Sequence, residues 1–189
     1  MNVRQNELKK LIMSSLLIAI AVVLELLLKL LPASMPFGGN FIGLFMIPLV
    51  LVGFMFGLKY GLLAGAVYGI IEIMFAPAGY IVGWSFLLDY LIGFTAFGLT
   101  GLFKNKLNDY RYIIIGILIA GFVRYLSLSI AGVVFWSEVA NFDAFKFSFI
   151  TYNLGYNLST TLITLFVVLL MSKRVYTFQQ DFISKENID

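Results

Sequence analysis

Long apolar runs are the feature that most constrains the fold of this chain. They cover about residues 9–31, 41–58, 60–76, 84–103, 111–135 and 147–171. Each run is close to the ~20 residues that a helix needs to cross ~30 Å of hydrocarbon. Hydrophobic residues make up 61% of the 189 residues and charged residues only 12%, and a soluble domain of this size could not bury such a composition. The sequence therefore predicts an all-α membrane protein with six transmembrane helices, a single domain over 1–189, and short polar tails at 1–7 and 172–189.

The basic residues predict the orientation of these helices. Positive charge concentrates in the cytoplasmic loops of membrane proteins. One set of helix ends carries Arg4, Lys9, Lys10, Lys59, Lys104, Lys106, Arg111, Lys173 and Arg174. The opposite loops hold only Lys146, with Lys29 near the end of the first run. We expect both termini in the cytoplasm, the loops at 32–40, 76–83 and 137–146 outside, and a multi-pass protein of the cell membrane. Whether the 32–40 loop acts as a lid is left open.

Missing residue types narrow the chemistry. The chain has no cysteine and no histidine, which excludes disulfides, thiolate or imidazole metal sites, and histidine general bases. It has no G-x-x-x-x-G-K-[ST] loop for ATP phosphates. We expect no metal, no cofactor, no nucleic-acid partner and no enzymatic activity. A membrane-embedded enzyme and a structural protein are the alternatives from other classes.

Polar residues inside the apolar runs are predicted to share one layer in the outer half of the membrane. Asp89 lies about 9 Å below the outer end of its run, near Gly83, at 1.5 Å per residue. Glu72 and Arg124 each lie about 20 Å from the cytoplasmic basic residue that precedes them. Ionisable groups at such depths are costly and usually mark a site or pathway.

Aromatic and amide groups complete this layer. Trp136 ends the fifth run at the outer surface, and Tyr152 and Asn157 begin the sixth from outside. The faces of Trp and Tyr rings attract cations. We therefore predict a pocket for a small polar ligand with a cationic or aromatic part. Tyr152 and Asn157 are five residues apart, about 140° on a regular helix, so both reach one pocket only if this helix starts irregularly or the pocket is wide.

Several of these residues have a second interpretation. Asp89 could form an ion pair with Arg124 instead of facing a ligand, and Glu72 could be a partner of Arg124 or a pocket wall. Glu25 and Lys29 are predicted to form an i,i+4 pair at the membrane interface.

Two of the uncharged residues also have a purely structural interpretation. Trp136 could be an interface anchor, and Asn157 could form an interhelical hydrogen bond.

Small residues predict close helix packing. Gly61, Gly65 and Gly69 recur every four residues in the third run, and Gly53 and Gly57 do so in the second. Such ridges let helix backbones approach closely in lipid, and packing within the chain is the favoured interpretation. Ser15 and Ala19 form a similar pair in the first run, which could pack internally or against a partner protein.

Three motifs give the chain a family resemblance. The stretch FLLDYLIGFTAFGLTGLFKNK at 86–106, the stretch RYLSLSIAGVVFWSEVA at 124–140 and the stretch TYNLGYNLSTTLIT at 151–164 resemble the fourth, fifth and sixth helices of a transporter family. This family comprises the substrate-binding S components of energy-coupling factor vitamin transporters, and the likeness is greatest to the thiamine-specific ones. The stretch 46–70 is similar to the second and third helices of the family, more loosely.

The resemblance implies a function and a role for each matching residue. The chain would capture thiamine from outside for uptake driven by a transmembrane coupling subunit and two ATPase subunits. Asp89 would face the positive thiazolium ring, Trp136 would stack on a ligand ring, and Tyr152 and Asn157 would hydrogen-bond the aminopyrimidine. The pair Ser15 and Ala19 would dock on the coupling subunit.

The chain also departs from the family pattern. Leu128 stands where the family has a histidine on the fifth helix, and Glu72 replaces a small or neutral residue. The family's Trp and Glu after the first loop have no counterpart in FGGNFIG at 37–43. An S component for another small vitamin, such as riboflavin or a pyridine-type vitamin, is the alternative within transport.

Overall fold

The computed structural model describes residues 3–30, 40–75, 83–139 and 143–184. Its helices are as follows. Helix α1 spans Val3–Lys29, α2 Met46–Phe56, α3 Leu58–Ile73 and α5 Tyr110–Val139. Helix α4 joins Gly83–Ser85, a π-helical segment Phe86–Ile92, Gly93–Thr95 and a 3₁₀ segment Ala96–Phe103. Helix α6 joins Ala144–Lys146, a π-helical segment Phe147–Asn153 and Leu154–Ser184. Apart from Asn40, the 32–40 loop lies outside the described residues, and so does most of the 76–83 loop.

Four stretches are long and apolar enough to cross a membrane. They are Arg4–Lys29, Phe86–Phe103, Tyr110–Ser137 and Ala144–Phe182. For the described residues, the prediction of an all-α membrane protein is therefore confirmed. Helices α2 and α3, with 11 and 16 residues, are shorter than the ~20 residues of a full span, so the count of six spans stays a prediction.

Helix α2 lies at the centre of the fold. All eleven of its residues are buried, as expected for a helix that is apolar on every side. It passes directly into α3 through Gly57, whose φ of +93° suits glycine because that residue has no Cβ. The Gly57 N–H donates to the Gly53 carbonyl at 2.8 Å, which closes the end of α2. This short connection agrees with the single residue that separates the predicted runs at 41–58 and 60–76.

The glycines of α3 hold α4 at close range. A Cβ on Gly65 would lie 2.4 Å from the Phe94 carbonyl oxygen, and one on Gly69 would lie 2.3 Å from that of Tyr90. The prediction that these glycines pack within the chain is confirmed. This contact fixes Tyr90 and therefore the position of its neighbour Asp89.

Helices continue into both of the predicted polar tails. Helix α1 begins at Val3, and α6 runs on to Ser184. Gln179 is only 1% exposed, and its amide donates to the Met55 carbonyl and to Asn105 Oδ1, both at 2.7 Å. The last carbonyls of a helix have no partner within it, so the buried end of α2 requires a donor from elsewhere, and α6 supplies it.

Candidate ligand-binding site

Two π-helical segments form the walls of the candidate site. The segment Phe86–Ile92 of α4 carries Asp89, and the segment Phe147–Asn153 of α6 carries Tyr152. Such wide turns are rare and frequently occur at functional sites. Helix α5 lies against both segments and contributes Arg124, Leu128 and Trp136.

Hydrogen bonds from α5 and α6 hold the π-helical segments in place. The Ser127 hydroxyl donates to the Leu88 carbonyl at 2.6 Å, next to Asp89. The Ser148 hydroxyl donates to the Ser129 carbonyl at 2.8 Å, and the Asn153 amide donates to the Leu128 carbonyl at 3.3 Å. Two of the acceptors belong to α5, so these bonds fix both walls of the site relative to that helix.

Aromatic rings enclose the cation of Arg124. Its guanidinium carbon lies 4.5 Å from the Phe94 ring centre, 5.2 Å from that of Phe97 and 5.8 Å from that of Phe45. Arg124 is only 5% exposed, and its Nε and Nη1 atoms have no hydrogen-bond partner. The rings stabilise the positive charge by cation–π attraction, but two N–H groups remain available to an acceptor.

Asp89 forms no ion pair with Arg124 among the described residues. The two groups are close enough for Arg124 to act electrostatically on the carboxylate, but no contact within 4.0 Å joins them. The buried Oδ2 atom of Asp89 has no hydrogen-bond partner. Of the two interpretations of Asp89, the direct ion pair is therefore wrong for this structure.

A ladder of aromatic rings connects α5 to the start of α6. The ring centres of Trp136 and Phe147 are 5.1 Å apart, those of Phe147 and Tyr152 5.9 Å, and those of Tyr152 and Tyr156 5.9 Å. Leu128 packs with the two tyrosines. Trp136, at the α5 end of this ladder, is only 8% exposed.

Tyr152 and Asn157 are both buried, in spite of their spacing of five residues. The segment Phe147–Asn153 is π-helical, so the first of the two conditions for both residues to reach one pocket, an irregular helix start, is met. The Asn157 amide nitrogen donates to the Asn153 carbonyl at 3.0 Å, within its own helix, and its Oδ1 atom has no partner.

Glu72 pairs with Lys29 and not with Arg124. The Lys29 Nζ atom is 2.9 Å from Glu72 Oε1 and 3.8 Å from Glu25 Oε1. The predicted i,i+4 pair of Glu25 and Lys29 is confirmed, but Glu25 itself is buried rather than at the interface. Glu72 faces this lysine because α1 and α3 pack together here, which their separate sequences do not reveal.

Formal charges in this region leave an excess of one negative charge. The carboxylates of Glu25, Glu72 and Asp89 outnumber the cations of Lys29 and Arg124 by three to two.

Buried polar atoms without a partner are also concentrated in this region, whereas native proteins satisfy nearly all such atoms. They are Glu25 Oε2, Tyr68 OH, Asp89 Oδ2, Arg124 Nε and Nη1, Ser129 Oγ and Asn157 Oδ1. The region can therefore offer donors, acceptors and countercharge to a small cation. No group of three or more metal-ligating side chains occurs in the part of the chain that the structure describes.

Sequence reasoning missed the ring cage and Tyr68. Phe45, Phe94 and Phe97 lie within apolar runs, where an aromatic residue that faces lipid has the same local sequence as one that faces a guanidinium. Ser127 was also missed. Its sequence signal is weak, because serine occurs in membrane helices both as a small packing residue and as a hydrogen-bond donor.

Ser15 and Ala19 lie on the outer face of α1. Both are exposed, whereas Ser14, Ile18 and Ala21 face the core. The Ser15 hydroxyl donates to the Leu11 carbonyl at 2.9 Å. The internal-packing interpretation of this pair is therefore wrong for the described residues.

Comparisons with known proteins agree with the resemblance. The solved structure of ThiT from Listeria monocytogenes is similar to this chain, with a TM-score of 0.73 and 22% identity over 90% of this chain and 98% of that one. No curated protein matches the chain. The model of the thiamine transporter protein family matches residues 11–179. This span exceeds half of the chain and includes every predicted site residue. The chain therefore belongs to the thiamine transporter family, which is a family of transport subunits and not of enzymes.

Proposed function

We propose that this chain captures thiamine at the outer side of the cell membrane through Asp89, Arg124, Trp136, Tyr152 and Asn157. The observation that carries the proposal is the set of unpartnered buried atoms on Asp89, Arg124 and Asn157, within a region with one excess negative charge. Thiamine brings one fixed positive charge, an aromatic ring with an amino group, and a hydroxyl group, and these groups complement that set.

Each residue has a definite part in this proposal. Asp89 is the countercharge of the thiazolium ring, because opposite charges attract each other strongly where water is excluded. Trp136 stacks on a ring of the ligand. Tyr152 and Asn157 hydrogen-bond the aminopyrimidine, and Arg124 donates to an acceptor on the ligand. Glu72, which Lys29 neutralises, forms the rim of the pocket rather than a direct contact.

We further propose six membrane spans with both termini in the cytoplasm, within one domain over 1–189. The segregation of lysine and arginine supports this orientation. A transmembrane coupling subunit and two ATPase subunits supply the energy for uptake. The exposed pair Ser15 and Ala19 is the contact with the coupling subunit, because small residues allow two helices to approach closely in lipid.

A fluorescence titration tests the proposal. The chain has two tryptophans, and Trp84 is 65% exposed. In a Trp84→Phe variant, the remaining signal comes from Trp136, and thiamine is expected to quench it in a saturable manner. A Trp136→Phe variant, which retains Trp84, serves as the matched control and should give little response. If thiamine changes neither the signal of Trp136 nor the melting temperature, the proposal is lost.

The Leu128 side chain favours a second candidate, another small vitamin. It packs against Tyr152 and Tyr156 and offers no hydrogen bond where the family pattern has a histidine. The same titration with riboflavin and pyridine-type vitamins separates the two candidates. Tighter binding of one of these than of thiamine would select the second.

A further inference from the structure

A groove runs along α4, between α3 and α5, away from the candidate ligand site. Its volume is about 380 Å³, and it is lined by aliphatic side chains and one threonine, among them Leu62, Leu91, Thr95, Leu99 and Val123. These five residues are half-buried, so the groove is open along one side. Helices α4 and α5 belong to the stretches that can cross a membrane. A groove with so few polar groups cannot hold ordered water, and hydrocarbon suits it better.

Glycines of α3 and α4 produce this groove. A Cβ on Gly61 would lie 2.8 Å from the Gly98 Cα, and one on Gly98 would lie 2.2 Å from the Leu62 nitrogen. The two helix backbones are therefore in direct contact. Leu62 and Leu99 each follow one of these glycines along the chain, and their side chains form walls beside the contact. The groove is thus a fixed consequence of helix packing.

The length of the groove matches one leaflet of a bilayer. Leu91 and Leu99 are eight residues apart along α4, which corresponds to about 12–16 Å, and half of the hydrocarbon core is about 15 Å. Leu102 is 59% exposed and lies on the same side of the 3₁₀ segment as Leu99, because three residues make one turn there. It continues the apolar surface to the end of α4, where Lys104 follows.

Two lysines lie together at this end of the groove. The side chain of Lys104 lies over the turn between α2 and α3, since a Cβ on Gly57 would be 3.0 Å from the Lys104 Cδ. Lys59 comes two residues after Gly57 and one turn before Leu62, and its side chain is 82% exposed. Within the described part of the chain, Lys104 belongs to no ion pair.

The surroundings of the two lysines are also positive. Lys106 and Arg111 lie at the same end of α4 and α5, and the nearby acidic residues are Asp109 and Glu7. Glu7 Oε2 is 3.9 Å from the Lys59 Nζ and also accepts a hydrogen bond from the Tyr60 hydroxyl. Four cations therefore face two carboxylates, which leaves an excess of two positive charges.

We propose that the groove binds an acyl chain of an anionic phospholipid whose phosphate lies at Lys59 and Lys104. A chain that fills an apolar groove gains dispersion contacts along its length, and basic residues at the ends of membrane helices attract anionic headgroups. The charges favour a lipid over a helix of a partner protein, because one lipid molecule supplies both the apolar chain and the anion. In the orientation proposed above, this lipid belongs to the cytoplasmic leaflet.

Native mass spectrometry of the purified, delipidated chain tests the headgroup site. The probes are dioleoylphosphatidylglycerol and dioleoylphosphatidylcholine, which have the same acyl chains but differ in net charge. Wild type is expected to bind the anionic lipid about tenfold to thirtyfold more tightly. Lys59→Gln combined with Lys104→Gln should remove most of this preference. Lys173→Gln combined with Arg174→Gln is the matched control, because it removes two exposed charges from α6 and should keep the preference.

Substitutions in α3 test the groove itself. Leu62→Trp fills the groove with a large ring and should weaken both lipids by about tenfold or more. Leu63→Trp is the matched control. It places the same ring on the next residue, which is 49% exposed and does not line the groove, so both affinities should stay unchanged. Leu99→Trp fills the groove from α4 and replaces Leu62→Trp if that variant does not fold.

Three results would overturn the inference. They are equal affinity of wild type for the two lipids, unchanged affinity when the groove is filled, and an equal loss in Leu63→Trp. Lipid binding that survives Leu62→Trp while uptake is lost would assign the groove to a helix of a partner protein instead. The lipid titrations do not use thiamine, so their failure leaves the proposed function intact, and a failed thiamine titration leaves this inference intact.

Discussion

Asp89 and Arg124 have opposite charges but do not form an ion pair. A charge placed within a membrane is costly on its own, and a direct pair is the simplest way to reduce that cost. Here the guanidinium is held by three phenylalanine rings, which keeps it away from the carboxylate. Asp89 therefore remains available as a countercharge for a third group.

Substituting Asp89 should affect a cationic ligand selectively. Asp89→Asn keeps the size and polarity of the side chain but removes its charge. We expect it to weaken thiamine about tenfold to hundredfold, and to change the affinity for an uncharged analogue of thiamine far less. Titration of both compounds against the purified variant measures the difference.

The control for this experiment is an aspartate at the other end of the fold. Asp109 accepts a hydrogen bond from the Arg111 N–H at 2.9 Å, and Asn would keep that oxygen. Asp109→Asn should leave both affinities unchanged. If Asp89→Asn weakened the charged and uncharged compounds equally, Asp89 would have a structural role and not that of a countercharge.

At the scale of helices, apolar runs predict the spans but not their irregularities. The run at 111–135 lies inside α5, Tyr110–Val139. A long apolar segment in lipid must satisfy its backbone hydrogen bonds internally, and a helix does this. The π-helical segments of α4 and α6 have no local signal, since they depend on contacts with α5 such as Ser127 to Leu88. Only the five-residue spacing of Tyr152 and Asn157 indicated one of them.

Charged residues of the candidate site were more predictable than its apolar ones. Asp89 and Arg124 are conspicuous because each interrupts an apolar run. Phe94 and Tyr68 interrupt nothing, so their part in the pocket follows only from tertiary packing. The pairing of Glu72 with Lys29 likewise depends on how α1 packs on α3.

Gln179 should stabilise the junction of α2 with α6. Gln179→Ala removes the donor to Met55 O and Asn105 Oδ1 and leaves the carbonyl of the buried Met55 without this partner. We expect a loss of about 2–4 kcal/mol in stability, measured as a lower melting temperature of the purified chain. Thiamine affinity should change little in the protein that remains folded, because none of the proposed ligand contacts involves this junction.

The next residue along the chain provides the comparison. Gln180 is exposed, so Gln180→Ala should leave the melting temperature within about 2 °C of wild type. Equal melting temperatures for the two variants would mean that the hydrogen bonds of Gln179 do not contribute to stability.

For the molecule as a whole, α1 presents two faces with different tasks. Ile18 and Ala21 face the core, whereas Leu16 and Ile20 are exposed. Exposed apolar side chains of this kind are suited to lipid, but they do not distinguish lipid from a partner helix. Ser15 and Ala19 are the small side chains on this exposed face of α1. Small side chains allow a partner helix to approach closely, so this part of the face suits a helix better than lipid.

This distinction can be tested by separating capture from transport. In cells that also produce the coupling subunit and the ATPases, Ser15→Trp should abolish thiamine uptake, because the large ring would hold the partner helix away from α1. The purified variant should bind thiamine as wild type does, since Ser15 points away from the core. Ile20→Trp is the matched control. It places the same ring on the same helix, about 100° around from Ala19, and should retain uptake. Normal uptake with Ser15→Trp would exclude this face of α1 as the docking surface, whereas loss of uptake in both variants would show that any large side chain on α1 interferes and that the small pair has no special role.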